Sequence, residues 1–368
     1  MTINQSKEPL FGKNLKQIQE ITEKMGMPRF AAKQITDWLY KKDVESIAEM
    51  TNLSKKAREL LSQNYQFGLQ KPMNVQTSAD GTKKYLFRAG EHGYIESAYI
   101  PEKKRNTLCL SSQVGCKMGC LFCMTGKQGF QANLSAGEIL NQVRSIPEWH
   151  QLTNLVYMGM GEPMDNLNAV MQSLEILTAD WGFEFSQRKI TVSTIGIVPA
   201  MRHYLENSHC HLAVSLHTPF EKERRMLMPI SQKYPINKVL TALKSYDFDR
   251  QRRVSFEYIV FNGLNDTPRH VKELARILNG LKCRINLIRF HTIPGTPLKE
   301  TNEESLLNFK YALNAKGITT TIRASRGRDI DAACGLLSTR ELRGELHDQQ
   351  VTDRNETYKR LKIYQKNE

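Results

Sequence analysis

The chain has 368 residues, 40% apolar and 24% charged, with 22 Gly and 13 Pro; this suits about two domains with a large core and excludes a mini-protein, a collagenous chain and a disordered one. Fifty-two Lys and Arg against 38 Asp and Glu leave a formal charge of +14, which points to a polyanionic partner, nucleic acid ahead of a membrane. Seven cysteines in a chain too long to need staples point to metal or thiol chemistry rather than a disulfide framework.

The opening MTINQSKEPLFGKN has no apolar signal region, and no stretch nears the roughly 18 apolar residues of a membrane span. A cytoplasmic protein with no membrane partner is expected. From Asn14 to about Gln66, Ile18, Ile21 and Met25 and then Ile35, Trp38 and Leu39 recur at helical spacing, broken at Met27-Pro28 and Asn52. This predicts a small helical domain within residues 1–75, whose mild basic excess suits an RNA-facing surface or a plain solvated face. Tyr85 to Phe87, Tyr94 to Ile100 and Thr107 to Leu110 read as strands of a β-rich extension over 76–112.

A helical pattern follows Ser135, and another covers Leu167 to Leu177. Strand-like runs lie at Leu155–Met158, Lys189–Ser193, His211–Leu216, Arg253–Phe261, Cys283–Phe290 and Ile318–Ile322, each separated from the next by a helix-length segment. Strict alternation predicts right-handed βαβ units and a parallel sheet. About six units predict an α/β fold with a partial (βα)6 barrel over 113–338, followed by a polar tail over 339–368.

The strongest chemical signal is Cys116-Lys-Met-Gly-Cys120-Leu-Phe-Cys123, just after a predicted strand. Thiolates are soft ligands that favour iron-sulfur clusters, zinc or Cu(I), and a short loop lets three of them converge. A structural zinc site wants a fourth ligand from a distant Cys or His, whereas a cubane held by three cysteines leaves one iron open to a small molecule. Gly115 and Gly119 suit backbone that passes close to an inorganic core.

A C-x3-C-x2-C loop at the end of a strand, ahead of a partial βα barrel, resembles the radical S-adenosylmethionine (SAM) superfamily. SSQVGC before the cluster, MGMGEP at 158–163, STIGIVPAM at 193–201, SLH at 215–217 and RGRDIDAACG at 326–335 are similar to its adenine-methylating RlmN and Cfr branch. The similarity covers nearly the whole chain. It implies that Cys116, Cys120 and Cys123 hold a four-iron four-sulfur (4Fe-4S) cluster whose open iron binds SAM. Gly161, Glu162, Ser193, Ser215, Leu216, His217 and His291 are the other implied cofactor contacts, and they fall at or after predicted strand ends, where barrel active sites gather. His291 stands where the family often has Asn, and an imidazole hydrogen-bonds in a tautomer-dependent way that an amide does not.

The resemblance further implies that Cys334 carries a methyl group, that Cys109 later attacks the Cys334 sulfur, and that Glu96 or Cys109 takes the ring proton. Cys210 and Cys283 read as small buried hydrophobes. Carbon 2 of adenine lies between two ring nitrogens and is too electron-poor to attack a sulfonium methyl. The implied route therefore uses two SAM molecules: the Cys334 thiolate displaces a methyl from the first, and the second is the radical source. A Cys109–Cys334 disulfide is left to be reduced.

Implied partners are 23S rRNA near the peptidyl-transferase centre, the adenosine 3′ of a tRNA anticodon, and an electron donor such as flavodoxin. Lys103-Lys104-Arg105, Arg250 to Arg253 and Arg323 to Arg328 are candidate phosphate contacts, and the target base must be unstacked to react. The alternatives are a Cfr-type adenine C8 methyltransferase and a non-catalytic zinc-containing RNA-binding protein.

Overall fold

The computed structural model describes residues 7–91, 93–248 and 253–339. The expected polar tail beyond Thr339, and Arg250 and Arg252 of one basic run, lie outside the described residues.

Three helices, α1 (Leu15–Lys24), α2 (Ala31–Tyr40) and α3 (Lys55–Asn64), form the N-terminal unit, closed by a parallel pair, β1 (Glu8–Pro9) and β2 (Tyr65–Gln66). A capping box starts α1: the Asn14 side chain accepts the Gln17 N–H, and the Gln17 side chain accepts the Asn14 N–H. Ile18, Ile21, Ile35 and Leu39 turn inward as their spacing predicts. The unit meets the rest of the chain backbone to backbone, since a Cβ on Gly12 would lie 2.4 Å from the Gly137 Cα.

The rest is built on one ten-stranded sheet. Its antiparallel part is β3 (Asn74–Thr77), β4 (Lys83–Arg88) and β5 (Tyr94–Glu102), which hands over to β6 (Arg105–Cys109). A hairpin, β7 (Gln113–Gly115) with β8 (Phe130–Asn133), then brackets the short helix α4 (Met124–Gln128) and leads into α5 (Ala136–Arg144). From there strands and helices alternate: β9 (Asn154–Tyr157), α6 (Leu167–Thr178), β10 (Ile190–Thr194), α7 (Val198–Asn207), β11 (His211–Ser215), α8 (Glu221–Leu227), α9 (Ile236–Lys244), β12 (Val254–Val260), α10 (Pro268–Leu278), β13 (Cys283–Arg289), α11 (Glu303–Ala315) and β14 (Thr320–Ile322).

β6 and β9 to β14 are mutually parallel in chain order. Among the described residues, seven parallel strands and six crossovers thus form the partial barrel. The sheet runs unbroken through residue 112, because β6 is at once the last strand of the extension and the first of the barrel. A short apolar run such as Thr107 to Leu110 does not reveal whether its neighbours run parallel or antiparallel.

Every residue of β12 is buried, as expected of a strand covered on both faces. Val254, Phe256, Tyr258 and Val260 join the main apolar core, while Ser255 and Glu257 face the lumen. There Arg284 Nε donates to Ser255 Oγ (2.8 Å), Asn286 Nδ2 to Glu257 Oε1 (2.7 Å) and Thr321 Oγ1 to Asn286 Oδ1 (2.8 Å). Buried polar groups need such partners.

Parallel strands give the barrel two unlike ends. The Lys103-Lys104-Arg105 turn and Arg253 open β6 and β12 at the N-terminal end. Those candidate phosphate contacts are therefore at the far end from the predicted site residues, which gather where the strands finish.

Candidate active site

The cluster loop leaves β7 through Gly115 (φ 71°), where a Cβ would lie 1.7 Å from the Gly129 carbonyl oxygen; the Cys116 N–H donates to that same oxygen (2.9 Å). Only glycine fits this crossing. Gly119 (φ 64°) has open space around it, so backbone angle rather than crowding calls for glycine there. Leu121 N–H donates to the Leu227 carbonyl (2.9 Å), tying the loop to the end of α8.

Cys120 is buried, and Cys116 and Cys123 are partly so. Burial first, and mutual repulsion second, push the Cys120 thiol well above its ordinary range. Cys116 is pushed up to about 12, again chiefly by burial. Thiols so placed give up their protons when a metal replaces the lost solvation. Among the described residues no three His, Cys, Asp or Glu side chains close on a single ion. Three neighbouring thiols and a glycine cradle fit an iron-sulfur cluster, which Cys116, Cys120 and Cys123 would hold. Met118, Leu121, Phe122, Ile195, Leu227 and Phe261 wrap the loop in apolar side chains.

Glu162, the N-cap of the turn after β9, is buried and receives three hydrogen bonds, from Thr194 Oγ1 (2.5 Å), Ile195 N–H (3.0 Å) and Met164 N–H (3.1 Å). Burial outweighs them and moves the carboxyl up to about 7. At Gly161 (φ 96°) a Cβ would lie 2.5 Å from Gln113 Cβ, and the Glu162 N–H donates to Gln113 Oε1 (2.8 Å). β7 thereby holds the β9 loop against the cluster loop.

Ser193 is the penultimate residue of β10, and Ser215 ends β11. Leu216 is buried, its N–H donating to the Glu257 carbonyl (2.9 Å). His217 is buried with a left-handed backbone (φ 57°). Its Nδ1 accepts the Ile259 N–H (2.9 Å), which leaves the proton on Nε2. Burial, reinforced by the Arg224 charge, pushes the imidazole down to about 3, and its ring meets Phe122 of the cluster loop edge-on at 4.7 Å between centroids. His291 is also buried, with Nε2 hydrogen-bonded to the Ser325 hydroxyl and Nδ1 3.8 Å from Glu300 Oε1. Burial and then Arg328 push its pKa down.

Cys109 is buried at the end of β6 and Cys334 is exposed, yet both line one cavity of about 40 Å³ with Met158, Arg323 and His291. Cys334 is reached by solvent from within a concave surface. The space suits about one methyl- or water-sized group. Burial pushes Cys109 up to about 12 and also raises Cys334, while the Arg323 guanidinium opposes both shifts. Arg323 Nη1 lies 3.0 Å from Met158 Sδ. Arg323 thus faces two thiols, whereas its run was expected to meet phosphates.

Glu96 lies on β5, where Ala98 pairs with Cys109; residues two apart share a strand face, so Glu96 and Cys109 do too. Its Oε1 is 3.0 Å from the buried Lys84 Nζ, and Oε2 accepts the Ser338 N–H (2.8 Å). Further bonds fasten the Cys334 segment. Ser78 Oγ donates to Asp329 Oδ1 (2.6 Å) and Gly327 N–H to Asp80 Oδ2 (3.0 Å). Met124 N–H donates to the Gly335 carbonyl (2.9 Å) and Thr125 Oγ1 to the Leu337 carbonyl (2.7 Å).

The site also uses residues that sequence reasoning passed over. Arg224 is fully buried and donates to the carbonyls of Ile195 (2.8 Å) and Ser215 (2.9 Å), joining the ends of β10 and β11. Lys84 and Arg224 belong to no motif. Arg323 follows the last strand, a position that signals a barrel site residue. Cys210 is buried and Cys283 partly buried, both at strand starts away from the site; burial pushes each up to about 11.

Residues 110–278 match the family model for the radical SAM superfamily, and residues 9–66 match the ribosomal RNA large subunit methyltransferase N-terminal domain. The chain is 55% identical over 334 residues to the "Probable dual-specificity RNA methyltransferase RlmN" of Bacteroides thetaiotaomicron, covering 91% of this chain and 97% of that one. It is 42% identical over 337 residues to the "Dual-specificity RNA methyltransferase RlmN" of Syntrophus aciditrophicus, covering 90% and 97%. The crystal structure of a radical SAM methyltransferase from Sphaerobacter thermophilus matches with a TM-score of 0.85 and 39% identity, over 90% of this chain and 99% of the other.

Proposed function

The chain belongs to the RlmN family of radical SAM methyltransferases, and from that premise we propose that it methylates carbon 2 of adenine in 23S rRNA and in tRNA at the adenosine 3′ of the anticodon. The observation that carries this reading is the cavity shared by Cys109, Cys334 and Arg323 beside the cluster loop. It puts two thiols outside the ligand set, one buried and one accessible, against one cation. A carrier and its resolving partner need that arrangement.

Cys116, Cys120 and Cys123 would hold the 4Fe-4S cluster, which when bound with SAM supplies a 5′-deoxyadenosyl radical. The Glu162 carboxylate suits the amino group of SAM, because a buried charge recovers its solvation from an ionic partner. Gly161, Ser193, Ser215, Leu216, His217 and His291 complete the contacts. His217 brings an Nε2–H donor and His291 joins the cofactor side to the Cys334 segment through Ser325.

Cys334 acts first as an ordinary nucleophile: its sulfur bonds to the methyl carbon of one SAM while the sulfonium C–S bond breaks toward the leaving thioether. Arg323 favours the thiolate that this displacement needs. A second SAM is the radical source for the methyl on Cys334. Glu96 then receives the ring proton. The Cys109 sulfur bonds to the Cys334 sulfur as the bond from that sulfur to the transferred carbon breaks; the electron pair stays on the carbon, which takes a proton to become the methyl group. An external donor such as flavodoxin supplies reducing electrons. The net charge of +14 supports phosphate binding with a steep salt dependence. No described helix is long and apolar enough to cross a membrane, and a cytoplasmic site of action belongs to the same proposal.

Peptide mass spectrometry of protein purified without oxygen tests the carrier. Cys334 is expected to bear a methyl group, and an unmethylated Cys334 after incubation with SAM sinks the reading. Nucleoside mass spectrometry of the RNA product should find 2-methyladenosine; 8-methyladenosine would move the activity to the Cfr type.

A further inference from the structure

The proposed proton acceptor, Glu96, is one half of a buried ion pair. In the β4–β5 ladder Lys84 pairs with Ala98 and Glu96 with Leu86, so Lys84 and Glu96 are diagonal neighbours on one sheet face. Ala98 also pairs with Cys109, which puts Lys84, Glu96 and the resolving thiol on that same face. The Nζ–Oε1 distance is 3.0 Å, with 3% and 6% of the two side chains exposed. Lysine is among the residues least often buried to this degree, and desolvation opposes both charges.

Groups around Glu96 come from several elements. Lys84 of β4 supplies a cation, and the segment after Cys334 supplies the Ser338 N–H to Oε2 (2.8 Å). Behind the carboxylate, the backbone of Glu96 is held by Met160 Sδ on its N–H (3.3 Å) and by Ser111 Oγ on its carbonyl (2.6 Å). The side chain is thereby fastened at both oxygens, and the carrier segment is fastened to it.

We propose that Lys84 is a positioning residue for proton removal: its ammonium keeps Glu96 ionised and held on the face that carries Cys109. This rests on the reading of Glu96 as the group that accepts the ring proton. In that step the C2–H bond breaks, the proton bonds to a Glu96 carboxylate oxygen, and the electron pair of the bond stays in the ring. A carboxylate buried like Glu96 is costly without a countercharge. Lys84 supplies that charge. The Ser338 bond makes the acceptor's position depend on the seating of the carrier segment.

The experiment uses the full chain with its cluster, methylated on Cys334, in single turnover with a transcribed rRNA fragment from about pH 6 to about pH 9.5. Formation of the Cys334–RNA adduct and its resolution to free methylated RNA are followed separately. Lys84→Met is expected to form adduct at the wild-type rate. It should resolve adduct at least about ten-fold more slowly near neutral pH, with the rising limb moved up by about one pH unit or more. Lys84→Arg keeps the charge and should stay within about three-fold.

A uniform slowing at every pH, the signature of a structural role, or a Lys84→Met profile that coincides with wild type overturns the proposal. Lys84→Gln, which retains a donor in the buried site, gives the same readout should the methionine variant misfold. Glu96→Gln separates the two readings. Wild-type resolution in that variant removes Glu96 as the acceptor; slow resolution in it beside an unshifted Lys84→Met profile removes Lys84 alone.

Discussion

The cluster loop and the Cys334 segment face each other across one site and are held in place by opposite means. The cluster loop is local: three thiols within residues 116–123, the two strands of one hairpin on either side, and glycines at the turns. The Cys334 segment has no regular strand or long helix and is held by remote partners. Ser78 and Asp80 of the β3–β4 turn, Glu96 of β5, and Met124 and Thr125 of α4 fasten it at points more than two hundred residues away in sequence. A ligand set that must converge on one inorganic core is economical as a short loop. A carrier thiol that must meet a cofactor, a base and a second thiol has to be assembled from several elements.

The largest expected effect divides the two regions. Cys120→Ser should abolish the visible absorbance of the reconstituted cluster and reduce SAM cleavage to background, whereas Cys334→Ala should retain the absorbance and lose methyl transfer to RNA. A coloured Cys120→Ser protein would break the distinction. Next, Gly115→Ala forces a Cβ against the Gly129 carbonyl at a positive φ, a strain of about 1 kcal/mol or more before the clash is relieved. Iron content per chain should fall at least about five-fold, since 1 kcal/mol is already a factor of about five, and wild-type iron content would show that the loop bends more easily than its crossing suggests.

Loosening the remote clamp should be milder. Asp329→Ala removes the Ser78 and Ala79 hydrogen bonds. Cys334 methylation should slow by about three-fold with iron content unchanged. Equal loss of iron and methylation would mean that the two regions are one cooperative unit.

The smallest effect at neutral pH emerges only on acidification. His217, depressed from 6.5 to about 3 chiefly by burial, is neutral in the folded chain. The stability tied to that neutral ring is present above pH 6.5 and is lost as pH falls toward 3. Between pH 6.5 and 5 the loss is roughly 2 kcal/mol. Urea unfolding of His217→Gln should show a flatter acid limb, and an unchanged limb would assign the acid sensitivity to other groups.

The alternation after Ser135 was legible because each strand is short and apolar and each crossover is long enough for a helix. The cluster was legible because its ligands are contiguous. The β6 handover was not, since pairing direction leaves no mark on a five-residue strand. Nor were Lys84 and Arg224 legible, because a basic residue outside any motif looks the same whether it meets water or a buried acceptor.

Composition, spacing and periodicity by themselves determined an α/β barrel pattern, a three-cysteine cluster loop and a basic net charge, while the enzyme reading and the candidate thiols Cys109 and Cys334 came with the family resemblance. Those properties depend on residue type and on separations of a few residues, which the chain carries before it folds. Tertiary structure decided that Arg323 sits with Cys109 and Cys334, that Lys103-Lys104-Arg105 and Arg253 lie at the far end of the barrel, and that Glu96 is paired with Lys84. Each of these depends on which strand lies beside which and which face it turns inward, and long-range packing alone sets that.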